Sequence, residues 1–182
     1  LHTPDANTQS VAEYVMTLVL DALRPRDVLL DAVSQDIWDQ LRSAARGCRQ
    51  MNECRFGILG FGRIGRRVAK MASAIGFELS YTDVLTIDPA HRHGAVPVSL
   101  AELLSTSDVL SIHVDGRASN HGLLTAELIS LLPDDALLVN TSRGFVMDSH
   151  ALSDQLRSTP TFQAILDVHE HDVGLRGGQC VV

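Results

Sequence analysis

The sequence predicts an α/β fold: a doubly wound parallel sheet of six strands with helices on both faces. Three observations point to it. The apolar run Phe56-Gly57-Ile58-Leu59 ends in glycines at 60, 62 and 65, and a helical pattern through Val68 and Met71 begins there. From Cys54 onward, short apolar runs alternate with helical patterns, and parallel strands need such crossover connections. Two later runs, Val109–Ile112 and Leu137-Leu138-Val139, are almost continuously apolar, as strands buried on both faces are. This is the Rossmann arrangement.

Residues 1–8 read as a loop. Ser10 with Glu13 forms the pattern of a capping box, and Val11, Tyr14, Val15, Leu18, Val19 and Ala22 recur at helical spacing over 10–24. Pro25 ends that helix. A second helix is expected over 27–46, with Leu29, Leu30, Val33, Ile37 and Leu41 apolar. Trp38, the only tryptophan, is expected in a core or a subunit contact. The first strand spans 54–59 and the helix after it 63–75, with Gly76 as its stop. Strands follow at 77–82, 96–98, 108–114, 136–140 and 162–168. Helices are expected at 100–104, 125–132 and 149–157, the last capped by Asp148 or Ser149. Residues 1–50 thus form a helical lead-in, 51–172 the core, and 173–182 a linker or truncated edge.

Composition narrows the function. Fifteen basic against 22 acidic residues give a net charge of −7, which disfavours nucleic acid and anionic membrane surfaces as direct partners. No apolar run approaches the length of a membrane span. Three cysteines, an odd number without metal-ligand spacing, point to a reducing compartment, the cytoplasm. Cys54 opens a buried strand, where it acts as a small hydrophobe.

The glycine turn has the chemistry of a dinucleotide site. Gly60 permits the tight turn, Gly62 lets backbone approach a pyrophosphate, and Gly65 lets helix and strand pack closely. The helix begins where the anion would sit, with free N–H groups facing it. Asp83 closes the second strand roughly 20 residues on, where a carboxylate accepts from ribose hydroxyls and repels a 2′-phosphate. That selects NAD over NADP. Asn140-Thr141-Ser142-Arg143-Gly144 follows the fifth strand, at the edge where ligands bind in open α/β sheets. Arg143 there can hold a carboxylate bidentately or polarise a carbonyl; as a bare pattern it also fits a surface turn. Asp167-Val168-His169-Glu170-His171-Asp172 follows the sixth strand. It admits a carboxylate-tuned base or a metal pair, and the metal reading lacks a third ligand. His91 and His93 read as a solvated loop.

Together these motifs resemble the D-isomer-specific 2-hydroxyacid dehydrogenases, a family that includes phosphoglycerate, glycerate and D-lactate dehydrogenases and the C-terminal binding protein corepressors. The matching stretches are Ser10–Tyr14, Gly57–Gly65, Asp83, Ser107–Val114, Asn140–Gly144 with Val146-Met147-Asp148, and Ile165–Val168. The resemblance implies that Ser10 sits near the nicotinamide end. It puts Arg63 and Ile64 on the pyrophosphate, Asp83 on the adenosine ribose, and His113 and Val114 at the adenine side. Thr141, with Ser142 beside it, and Asp167 hold the nicotinamide part. Arg143 becomes the catalytic arginine, binding the carboxylate and carbonyl of a small 2-hydroxy or 2-oxo acid. In the family a histidine takes the hydroxyl proton and a glutamate raises its pKa.

The sequence departs from that pattern in places. Asp172 holds the glutamate's position, one methylene shorter. His169 and His171 do not match the histidine's position, and no Pro-His segment precedes Val182. Val114-Asp115-Gly116-Arg117 stands where many members have Pro-Leu-Thr. The chain opens on Leu1 and carries neither piece of the family's split substrate domain. The expectation is therefore an NAD-binding piece, inactive by itself, that forms a homodimer through its first two helices. The short likeness of Asp167–Glu170 and Asn120-His121 to the corepressor branch supports an alternative: a nuclear, NAD(H)-sensing interaction protein.

Overall fold

The computed structural model describes residues 7–26, 28–46, 49–168 and 179–181. Its centre is a seven-stranded parallel sheet: β1 (Arg55–Leu59), β2 (Glu78–Thr82), β3 (Val96–Pro97), β4 (Val109–Ile112), β5 (Leu137–Asn140), β6 (Gln163–Leu166) and β7 (Gln179–Val181). The strand order is β3-β2-β1-β4-β5-β6-β7. The order reverses between β1 and β4, which places a crevice outside their carboxyl ends. All six expected strands are present in the expected sequence. Residues 179–181, for which no strand was expected, pair with β6 at the edge.

Side chains alternate between two cores. Phe56, Ile58, Val109, Val139 and Ile165 face one side, where α1 (Thr8–Leu23) and α3 (Arg63–Ile75) pack. Leu59, Leu110, Ile112, Leu138 and Leu166 face the other. That side is covered by α4 (Leu100–Thr106), α5 (Ala126–Ile129) and α6 (Ser149–Ser158). Helices on both faces explain why the strands are apolar on consecutive residues. Cys54 is buried, as expected.

Two local expectations are corrected. The Ser10–Glu13 capping box does not form. The first helix starts earlier, at Thr8 with Asn7 as N-cap, so Ser10 is inside the helix and Glu13 accepts from Gln9 instead. The expected helix over 27–46 is helical only as α2 (Gln35–Arg46). Ser34 initiates it: its carbonyl accepts from Trp38 N and its hydroxyl from Ile37 N, as a serine at a helix start does. Residues 28–34 are irregular, because the apolar residues there meet no core to pack on. Val28, Leu30, Ile37 and Trp38 are exposed, so Trp38 is not a core residue. Asp148 caps α6, its carboxylate accepting from His150 N and Ala151 N. No helix among the described residues is long and apolar enough to cross a membrane.

The opposite end of the sheet is fastened by charge. Asp108, just before β4, has a side chain only 8% exposed. Its carboxylate accepts from Arg55 N at 2.7 Å, Arg55 Nε at 3.1 Å and Arg49 Nη1 at 3.1 Å. These bonds outweigh the burial penalty and hold its pKa down to about 2.

Candidate functional site

The glycine turn lies between β1 and α3, and its three glycines meet different surroundings. Gly60 has φ +90°, and a Cβ there would fall 2.7 Å from the carbonyl carbon of His113. A Cβ on Gly65 would fall 2.2 Å from the carbonyl oxygen of Gly60. Both are required by backbone packed against backbone. A Cβ on Gly62 would meet nothing within 4 Å. Gly62 is the N-cap of α3 and Arg63 and Ile64 are its first residues, so the start of the helix lies beside that space. Phe61 anchors the turn, buried and stacked on Tyr81 at 4.0 Å.

Asp83 stands at the end of β2, beside this turn. Its Oδ2 accepts from Phe61 N at 2.5 Å and its Oδ1 from Leu85 N at 2.8 Å. The carboxylate thus ties the second strand to the glycine turn while keeping lone pairs for further donors.

His113 and Val114 leave β4 across the crevice. His113 N donates to Leu59 O at 2.7 Å, pinning this loop against the turn. His113 Nε2 lies 2.8 Å from Ser111 Oγ, and burial pushes the imidazole down to about 4. The ring is therefore neutral at pH 7 and adds no positive charge there. The loop continues through Asp115, whose carboxylate takes both Arg117 Nε (2.7 Å) and Asn120 Nδ2 (3.0 Å). This self-contained knot orders the segment that departs from the family's Pro-Leu-Thr pattern.

The third component follows β5. Asn140 is fully buried. Its Oδ1 accepts from Ser142 N at 2.9 Å and Ser142 Oγ at 2.8 Å, and its Nδ2 donates to Arg143 O at 3.0 Å. One side chain therefore shapes the loop that carries Thr141 and Arg143, an Asx turn closed at both ends. Arg143 is exposed and extends over Gly116: a Cβ on Gly116 would lie 3.4 Å from Arg143 Nε. Thr141 Oγ1 is buried and finds no hydrogen-bond partner among the described residues.

Asp167 completes the edge. Its N donates to Asn140 O at 3.0 Å, placing it next to Thr141. Its carboxylate accepts from Tyr14 Oη of α1 at 3.4 Å. Ser10 lies one turn before Tyr14, on the same helix face.

The predicted residues Gly60, Gly62, Arg63, Ile64, Gly65, Asp83, His113, Val114, Thr141, Ser142, Arg143 and Asp167 all lie along the carboxyl ends of β1, β2, β4, β5 and β6. Asp172, His169 and His171 lie outside the described residues. Sequence reading assigned no separate task to Asn140, Ser111 or Tyr14. Only Asn140 carried a usable signal, as an Asx residue at the end of a strand and just before a turn.

A parallel sheet in this order, with a glycine turn at the switch point and an acid closing β2, defines a dinucleotide-binding α/β domain. Residues 16–174 match the family described as D-isomer specific 2-hydroxyacid dehydrogenase, NAD binding domain. The chain belongs to that family, and NAD is its cofactor. It is 32% identical over 173 residues to a hydroxypyruvate reductase of Thermotoga maritima, covering 93% of this chain and 54% of that protein. It is 33% identical over 172 residues to a D-lactate dehydrogenase of Treponema pallidum, covering 94% and 51%. The solved D-lactate dehydrogenase of Aquifex aeolicus, complexed with NAD and lactic acid, superposes with a TM-score of 0.77 at 32% identity, covering 93% of this chain and 50% of that one. The chain spans about half the length of the relatives it matches.

The residues present suit that cofactor. A Cβ on Gly62 would meet nothing within 4 Å, which leaves room for a ligand against that backbone, and buried Thr141 Oγ1 has no hydrogen-bond partner among the described residues.

Proposed function

We propose that this chain binds NAD along the carboxyl edge of its sheet, and that the whole protein transfers hydride between NAD and C2 of a D-2-hydroxy acid. The observation that carries the reading is the open space over Gly62, in a turn whose other two glycines are closed in by backbone. Pyrophosphate in that space would meet the first N–H groups of α3, at the positive end of its dipole, with Arg63 and Ile64 alongside. Asp83 would take the ribose hydroxyls and exclude a 2′-phosphate. His113 and Val114 would border the adenine. Ser10, Thr141, Ser142 and Asp167 would face the nicotinamide.

Bound there, the nicotinamide would accept the hydride that leaves C2 as a hydroxy acid becomes an oxo acid. Arg143 would hold the substrate carboxylate with its guanidinium fork and offset charge on the C2 oxygen. Asp172 would stand in for the family's glutamate, keeping a histidine basic enough to take the hydroxyl proton. Residues 1–50 would serve as lead-in and dimer arm, 51–172 as the cofactor-binding core and 173–182 as a linker or edge. The apolar exposure of Val28, Leu30, Ile37 and Trp38 supports a homodimer formed through that arm. A cytoplasmic location belongs to the same reading. The relatives are a reductase and dehydrogenases, so the nuclear corepressor alternative is not favoured.

Calorimetric titration of the 182-residue chain with NAD+, NADH and NADP+ tests this, together with an assay of 2-hydroxy acid oxidation. We expect NAD(H) to bind, NADP+ to bind at least about tenfold more weakly, a difference near 1.4 kcal/mol, and turnover to be negligible. Failure to bind NAD(H) would sink the cofactor reading. Robust turnover would show that the proton acceptor lies within this chain.

A further inference from the structure

We propose that Tyr14 is a positioning residue for the nicotinamide end of the cofactor: its phenol occupies Asp167 Oδ1 and so directs Oδ2 at the carboxamide. This rests on the reading above that Asp167 faces the nicotinamide. Tyr14 and Asp167 are separated by 153 positions, so no local turn dictates their meeting. It follows from α1 packing beside α3 and the sheet, through buried Ala12, Val15, Met16 and Val19. Tyr14 is 42% exposed, and its ring is not part of that buried stripe. Its polar tip instead leans across the end of β6 and donates to the carboxylate.

A second, independent feature lies at the same place. Asp167 N is bonded to Asn140 O, the residue before Thr141, and Thr141 Oγ1 is buried without a hydrogen-bond partner among the described residues. The neighbouring ends of β5 and β6 therefore carry a carboxylate, an acceptor only, on Asp167 and, on the residue after its backbone partner Asn140, a hydroxyl that can donate or accept. A primary carboxamide has the matching set: N–H donors for Asp167 and a carbonyl oxygen for Thr141. Without the phenol, the exposed Asp167 side chain is free to rotate, and two equivalent oxygens no longer distinguish carboxamide orientations. At 3.4 Å the bond is long for O–H···O, which leaves room for the pair to tighten around a ligand.

The test compares full dinucleotide with its truncated and deamidated forms. Wild-type, Tyr14→Phe, Asp167→Ala and the double variant of the 182-residue chain are titrated calorimetrically with NAD+, ADP-ribose and nicotinic acid adenine dinucleotide. Thermal melting is followed in parallel. Because Tyr14 Oη is exposed, Tyr14→Phe is expected to melt with wild type. It should weaken NAD+ roughly three- to tenfold, the range of an ordinary net hydrogen bond, as suits an exposed and long one, while leaving ADP-ribose unchanged. It should also narrow the preference for NAD+ over the deamidated form, whose carboxylate faces repulsion from an oriented Asp167. Added to Asp167→Ala, it should have no further effect. Equal loss for NAD+ and ADP-ribose, or no loss for NAD+, overturns the role of Tyr14. If Asp167→Ala itself leaves NAD+ binding intact, the placement of the nicotinamide is what has failed, and the proposal falls with it.

Discussion

The three glycines of the turn should separate cleanly when each is replaced. Gly60→Ala places a Cβ at φ +90°, which costs an L-residue about 1–2 kcal/mol. The same Cβ falls 2.7–2.8 Å from the backbone of His113 and Val114, and pushing packed backbone aside costs about 1–3 kcal/mol more. The total is about 3 kcal/mol, or roughly 6–12 °C in Tm for a domain of this size. Gly65→Ala sets its Cβ 2.2 Å from Gly60 O. That carbonyl must retreat by about an ångström, at a cost in the same overpacking range; the better helix propensity of alanine returns up to about 1 kcal/mol.

Gly62 differs in both respects. Its φ of −72° is open to any residue and its Cβ would meet nothing, so Gly62→Ala and Gly62→Val should change stability by no more than about 0.5 kcal/mol. Yet both side chains would occupy the space proposed for the pyrophosphate. Gly62→Val should therefore lose at least about tenfold in NAD+ affinity, near 1.4 kcal/mol, with an unchanged melting curve. Differential scanning calorimetry and isothermal titration on the same samples give both quantities. Wild-type NAD+ affinity in a normally folded Gly62→Val chain would remove the pyrophosphate from this turn.

Two further outcomes are expected. Asp108→Asn should destabilise the chain by about 2 kcal/mol at pH 7, since a fall in pKa from 3.8 to about 2 is worth about 2.4 kcal/mol. Because the folded-state pKa is the lower one, that stability is complete above about pH 4 and is lost as pH falls toward 2; urea titrations of both proteins should converge there, and a gap independent of pH would refute the assignment. Light scattering should give a dimer at micromolar concentration, and Trp38→Glu with Ile37→Glu, both exposed, should give a folded monomer; a wild-type monomer counts against the dimer arm.

What could be read from the sequence follows from the range of the interactions involved. The central strands β1, β4, β5 and β6 were legible because burial on both faces leaves a run of apolar residues, a purely local signature; β2 and the exposed β3 were legible from their place between helical patterns. The glycine turn was legible because backbone approaching backbone forbids any Cβ at positions 60 and 65. The start of α2 was not: apolar residues from Leu29 to Leu41 keep a helical rhythm, but propensity cannot hold residues 28–34 without a core beneath them. Gln179–Val181 is too short to announce itself and is ordered by pairing with β6. The three-way bonding of Asp108 and the meeting of Tyr14 with Asp167 join residues 53 and 153 positions apart, and nothing in either local sequence encodes the partner.

The two ends of the sheet divide stability from binding by how completely their polar groups are satisfied. At the amino end, Asp108 is surrounded by donors from Arg49 and Arg55, and a buried carboxylate so fully bonded has nothing left to offer a ligand. At the carboxyl end, Gly62 stands exposed at the start of α3, and buried Thr141 Oγ1 has no hydrogen-bond partner among the described residues. A buried polar group left unmatched costs free energy, so the Thr141 hydroxyl carries a cost that a ligand with a complementary group would relieve. Asn140 makes the arrangement durable. Its three hydrogen bonds are internal to the loop, which keeps Thr141 and Arg143 in place with no contribution from the ligand. A site built this way loses little conformational entropy when the cofactor binds, because the geometry is already fixed by the strand ends that β-pairing holds in register.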